Sequence, residues 1–130
     1  MKIPAGLKYS SSDEWIKLEG DVATIGITDY AQEQLSDIVF VEITVEPGDS
    51  VKKNSVCVTL ESVKAAADVN LPVSGKIVAI NEALSQSPEL VNTDPFGGAW
   101  MIKIQLSTPA EMDNLMDAAS YEKYCQERSK

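Results

Sequence analysis

The sequence predicts a mainly β protein: a closed or sandwiched body of short strands, with short flanking helices and further helices at the C-terminus. Three observations carry this. Apolar residues alternate with period two in several short runs, and Gly, Pro, Asp and Ser separate those runs. Two of the runs, Val56-Val58-Leu60 and Val69-Leu71-Val73, flank a single lysine, Lys64, as the arms of a hairpin would. Helical signals become strong only after Thr108. At 130 residues and 44% hydrophobic, residues 1–130 are expected to form one domain with a real core.

Trp15 to Glu19 reads as a strand, turned at Gly20-Asp21 into a second strand, Val22 to Ile27. "TDYAQEQLS", Thr28 to Ser36, switches to helical composition, and Asp29 with Gln32 has capping-box spacing. "DIVFVEITV" returns to period two and predicts Val39, Val41, Ile43 and Val45 on one face, up to the turn at Glu46 to Asp49. Strands follow over Ser55 to Glu61 and Ala66 to Val73, then a "PVSGK" turn and a strand over Ile77 to Ile80. "SPELVN" predicts one helical turn with Pro88 at its first position. After a "TDPFGG" loop, Trp100 to Leu106 is a strand with Trp100, Ile102, Ile104 and Leu106 inward. Thr108-Pro109-Ala110-Glu111 predicts a helix start, with Met112, Leu115, Met116 and Ala119 as its apolar stripe. Ser120 is expected to cap a last short helix containing Tyr121 and Tyr124.

Composition removes several functions. The net charge is −9, from 20 acidic and 11 basic residues, which disfavours nucleic acid and anionic membrane as partners. An acidic surface suits solubility and steering toward basic protein partners, and a monomer that docks transiently. The chain has no histidine, so catalytic triads, Cys-His dyads and histidine metal sites are excluded. No metal site is expected. Cys57 lies in an apolar run and reads as a core residue; Cys125 lies in a polar tail and reads as a thiol; nothing requires a disulfide between them. "MKIPAGLKYSSS" lacks both the apolar core of a signal peptide and the Arg-rich character of a transit peptide. The expected location is the cytoplasm, or the mitochondrial matrix if a presequence was removed.

Lys64 raises the functional question. Lysine is common at turn tips because turns face water. Here Ala65, Ala66 and Ala67 leave it uncovered, Glu61 stands on its other side, and the turn lacks the Asn-Gly chemistry of a generic tight hairpin. An exposed amine among acids stays protonated and is a poor nucleophile. A lysine presented to a modifying enzyme fits better, which makes the chain a carrier and not an enzyme.

At this point the residues resemble a known family. Glu61-Ser62-Val63-Lys64 followed by Ala65 resembles the attachment turn of the lipoyl-domain superfamily, and the flanking Val63 and Ala65 favour lipoate over biotin. "GDVATIGITDYAQEQLSDIVFVE", "ESVKAAADVNLPVSGKI", "NEALSQSPELVNTDPFGGAWMIKI" and the C-terminal helices resemble the H proteins of the glycine cleavage system from about Tyr9 to Tyr124. The resemblance implies a barrel-sandwich hybrid fold and lipoate amide-linked to Lys64. It implies that the arm carries the aminomethyl group of glycine between glycine decarboxylase, aminomethyltransferase and dihydrolipoamide dehydrogenase, after a lipoate ligase or lipoyl synthase has installed the cofactor. A basic amine on the arm would be stabilised by carboxylates, for which Glu14, Glu61 and Asp68 are the candidates. The family's His-Glu-Trp run appears here as Asp13-Glu14-Trp15, its glycine before "DIVFVE" is Ser36, and its "ELP" reads Glu42-Ile43-Thr44.

Three alternatives stand beside this reading. An H-like relay protein, donating lipoate to other enzymes, would show the same turn. An acid-pair hydrolase would need two carboxylates of opposed pKa in one cleft, and no such spacing stands out. A plain interaction module would leave Lys64 unmodified.

Overall fold

Hairpins build most of this molecule. The structure, a computed structural model, describes residues 1–128. Its strands are β1 (Lys8–Tyr9), β2 (Glu14–Glu19), β3 (Val22–Ile27), β4 (Ile38–Ile43), β5 (Ser50–Val51), β6 (Val56–Ser62), β7 (Ala66–Asn70), β8 (Gly75–Ile80) and β9 (Ile102–Leu106). Its α-helices are α1 (Asp29–Leu35), α2 (Ala83–Gln86), α3 (Leu90–Thr93) and α4 (Ala118–Arg128), with a 3-10 helix at Pro109–Asn114. The strands form two antiparallel sheets, in the orders β1-β2-β3-β9-β8-β5 and β4-β6-β7. One apolar cluster joins them: Ile25, Ile77, Ile102 and Ile104 from the larger sheet meet Ile38, Val41, Val58, Leu60 and Val69 from the smaller. A second cluster, Tyr9, Trp15, Tyr30, Tyr121 and Cys125, seats α4.

The expected hairpin at Gly20-Asp21 forms, and Glu19 pairs with Val22 across it. Gly20 sits at φ +65°, where its missing Cβ relieves the strain of a tight turn. α1 forms where its composition places it, but its N-cap is Thr28, whose hydroxyl accepts from the Ala31 amide at 3.2 Å. Asp29 instead lies within the first turn and accepts from the Gln32 side chain.

Bulges change two faces. A register shift between Ile38 and Phe40 buries Ile38 and Val41 and leaves Val39 53% exposed. A second shift, between Val56 and Val58, turns Val56 outward and buries Cys57 beside Val58. One extra residue in a strand inverts the alternation beyond it, so a strict period-two reading fails at both places.

Helix boundaries moved as well. α2 was not foreseen, and Pro88 precedes α3 instead of opening it. Asn92 of α3 braces the end of α1: its Oδ1 accepts from the Ile38 amide at 2.8 Å and its Nδ2 donates to the Ser36 carbonyl at 2.8 Å. Met101 is fully buried, while Trp100 is only partly so. The segment after Thr108 is a 3-10 turn because Glu111, the expected capping partner, reaches away and accepts from the Ser74 amide and hydroxyl at 2.7 and 2.9 Å. Asp117, and not Ser120, caps α4, accepting from the Ser120 amide at 2.8 Å. Ala119 is exposed and lies outside the apolar stripe. Among the described residues no helix is long and apolar enough to cross a membrane.

Candidate functional site

The β6–β7 hairpin pairs Glu61 with Ala66 and Leu60 with Ala67, so its tip is the three residues Val63, Lys64 and Ala65. Ser62 closes the tip. Its amide donates to the Ala65 carbonyl at 2.7 Å, and its Oγ accepts from the amides of Lys64 and Ala65 at 3.3 and 3.0 Å. A hydroxyl standing in for backbone explains a tight turn without Asn-Gly. The Val63 amide donates to the Asp37 carbonyl at 3.0 Å, which ties the tip to the loop between α1 and β4. The turn is therefore held at both ends while Lys64, Ala65 and Ala66 stay exposed and Val63 is 65% exposed.

Beneath the tip, the hairpin walls a cavity of about 190 Å³. Leu60, Ala67, Asp68 and Val69 form one side, Ala31, Gln34 and Leu35 of α1 a second, and Ser12, Asp13 and Glu14 a third. Asp68 lies four residues from Lys64, roughly 13 Å along a strand. Three larger clefts, about 310, 560 and 690 Å³, lie elsewhere, and none is lined by Lys64 or by a buried ionisable group.

Glu14 is the unusual group in the cavity. It is 1% exposed, yet it is a carboxylate without a salt-bridge partner among the described residues. Ser10 and Ser12 donate hydroxyls to its Oε1, each at 2.6 Å, and the Asn70 amide donates to Oε2 at 3.4 Å. Burial pushes its pKa above the ordinary carboxylate range, and these three hydrogen bonds pull against that shift. The nearby Glu14 charge adds to burial in pushing the Cys57 thiol up to about 12, so Cys57 is protonated and inert.

Of the acids singled out from the sequence, the structure thus brings Glu14 and Asp68 to one cavity and leaves Glu61 outside it, exposed on the hairpin. The sequence reading missed Ser10, Ser12 and Gln34. Two serines at i−4 and i−2 from an acid were the available signal for the first pair.

Lys64 thus stands on a braced, open turn, with a carboxylate-lined cavity one short stretch of strand away. The family described as glycine cleavage H-protein matches residues 7–128. The chain is 50% identical over 125 residues to a glycine cleavage system H protein of Symbiobacterium thermophilum, covering 96% of this chain and 97% of that one. It is 52% identical over 122 residues to a mitochondrial glycine cleavage system H protein of Flaveria pringlei, covering 94% of this chain and 75% of that one. The crystal structure of a glycine cleavage system H protein from Mycobacterium marinum matches with a TM-score of 0.84 and 32% identity, over 98% of this chain and 100% of that one. The two sheets and short helices are therefore the lipoyl-domain-like, barrel-sandwich class of fold. With this match spanning the hairpin, the cavity and α4 alike, the chain belongs to the glycine cleavage H-protein family.

Proposed function

We propose that residues 1–130 act as a single, monomeric, non-catalytic lipoyl-carrier domain in glycine cleavage, with lipoate amide-linked to Lys64. The observation that carries this is the exposed Lys64 on a turn closed by the Ser62 hydroxyl and tied to Asp37. When bound, lipoate would supply a disulfide that opens to hold the aminomethyl fragment of glycine on one sulfur, and the dithiol left after that fragment departs would be reoxidised by the dehydrogenase partner.

The chain's own residues do the rest. The turn presents the Lys64 amine to a lipoate ligase, or its precursor to a lipoyl synthase. A rigid, exposed origin lets one tether visit successive partner sites at high effective concentration. The partners are glycine decarboxylase, aminomethyltransferase and dihydrolipoamide dehydrogenase, and the net charge of −9 favours docking against basic faces. Between visits, buried Glu14 and exposed Asp68 offer the two carboxylates of the cavity to an ammonium group, where Glu14 would gain the counter-charge it lacks. The chain has no histidine, and burial keeps the Cys57 thiol protonated. Relatives named from bacteria and from mitochondria support a cytoplasmic or matrix location. Their glycine cleavage names also speak against a lipoate relay.

Intact-mass and peptide analysis after treatment with a lipoate ligase, ATP and lipoate tests the assignment, with Lys64→Arg in parallel. A single lipoyl addition on Lys64, absent from the variant, is expected. A folded protein that takes no lipoate, or takes it on another lysine, overturns it.

A further inference from the structure

The C-terminal helix contacts two sides of the cavity wall, the loop before β2 and the start of α1. Arg128 makes a forked ion pair with Asp13, Nη2 to Oδ1 at 2.6 Å and Nη1 to Oδ2 at 3.1 Å. The same guanidinium lies over the rings of Tyr30 in α1 and Tyr124 in α4, 4.3 and 4.0 Å from their centroids. The Tyr121 hydroxyl donates to Asp13 Oδ1 at 2.8 Å and stands 2.6 Å from Thr28 Oγ1. Since Tyr121 spends its proton on Asp13, the Thr28 hydroxyl is the donor to Tyr121. Thr28 is the N-cap of α1, so one tyrosine hydroxyl links the start of α1 to the loop that carries Ser12 and Glu14. Asp13 itself holds a left-handed conformation, φ +74°, and its carbonyl accepts from the Thr28 amide at 2.9 Å. Tyr121 is fully buried and stacks on Tyr9, with centroids 4.6 Å apart, so the hydroxyl is delivered from a fixed ring.

We propose that Tyr121 and Arg128 are positioning residues for the cavity: they clamp the 10–14 loop to the start of α1 and so fix where Ser12 and Glu14 stand. This rests on the reading that the cavity receives the arm from Lys64. Neither residue lines the cavity or approaches Lys64, so the hairpin should remain a substrate for lipoylation when the clamp is opened. The forked geometry suits arginine, and a lysine can supply only the charge.

Amide hydrogen exchange on the full unmodified chain reads the loop directly. Tyr121→Phe keeps the stacked ring and removes only the hydroxyl; Arg128→Ala removes the fork; Arg128→Lys keeps the charge. Exchange at the Glu14 and Asn70 amides should quicken at least fivefold in Tyr121→Phe and Arg128→Ala, with partial recovery in Arg128→Lys. The Ile102 and Ile104 amides should not change. After lipoylation and reduction, the arm thiols of Tyr121→Phe and Arg128→Ala should react severalfold faster with a bulky maleimide. Unchanged exchange at Glu14, or an equal rise across the larger sheet, overturns the clamp. Glu14→Gln separates the two ideas. If it exposes the arm while exchange ignores Tyr121 and Arg128, the clamp falls and the cavity reading stands. If exchange responds to the clamp but arm reactivity responds to no variant, the positioning role stands for the loop and the cavity reading falls.

Discussion

The Ser62 hydroxyl accepts the Ala65 amide at 3.0 Å and so does the work of backbone at the tip that presents Lys64. Ser62→Ala leaves the Lys64 and Ala65 amides without this acceptor. The groups are exposed, so water replaces part of the loss, and the expected cost is about 1 kcal/mol. The larger effect should fall on recognition. Lipoylation of Ser62→Ala should slow severalfold at unchanged fold, measured by intact mass against time. Equal rates would show that the ligase reads sequence at the turn and not its shape.

Burial holds the Glu14 carboxyl above its ordinary value of 4.5, so the folded chain binds that proton more tightly than the unfolded chain does. This contribution to stability is intact below pH 4.5 and is lost as the pH rises through the raised value. Glu14→Gln removes the titration. Thermal midpoints of wild type and variant should diverge as the pH rises above 4.5, with the wild type losing ground. Parallel curves would mean that the hydrogen bonds from Ser10, Ser12 and Asn70 fully offset the burial.

Ser36 occupies φ +67°, ψ −155°, a region that only glycine enters without strain. Two contacts hold it there: its amide donates to the Gln32 carbonyl at 2.9 Å, and its carbonyl accepts from Asn92 Nδ2 at 2.8 Å. Ser36→Gly keeps both contacts and removes the Cβ. The expected gain is about 1 kcal/mol, read as a higher denaturant midpoint at constant m-value. A lower midpoint would show that the serine side chain stabilises the corner.

The hairpin around Lys64 was legible because both arms alternate and the tip is short. Val39 and Val56 were not, because each follows or precedes a bulge, and a bulge leaves no mark in hydrophobic alternation. Glu14 and Asp68 could be singled out by their place in family-like motifs, but nothing in their spacing says that they share a cavity. Glu61 illustrates the limit: it neighbours Lys64 in sequence, yet strand geometry points it elsewhere. Tyr121 and Arg128 lie 108 and 115 residues from Asp13, and the tail that holds them reads as polar. Cys125 reads from the sequence as a thiol in that tail, and only the folded chain reveals that it is a core residue.

Gly26 tests how far Trp15 supports the site. A Cβ built at Gly26 would lie 2.7 Å from Trp15 Nε1 and 2.8 Å from two carbons of the ring. Gly26 also pairs directly with Trp15 across β2 and β3, so neither backbone can retreat without disturbing the sheet. The same Nε1 is held by a 2.9 Å hydrogen bond that it donates to the Pro95 carbonyl. Gly26→Ala must therefore move the indole and weaken or break that bond, at a cost of about 1–3 kcal/mol. Since Trp15 follows Glu14 directly, the displacement should reach the cavity but not the Lys64 turn. The expected result is a lower thermal midpoint and faster exchange at Glu14, with lipoylation at the wild-type rate. A variant as stable as the wild type would mean that the Trp15 ring has room to turn toward Phe96, its tilted neighbour at 6.0 Å.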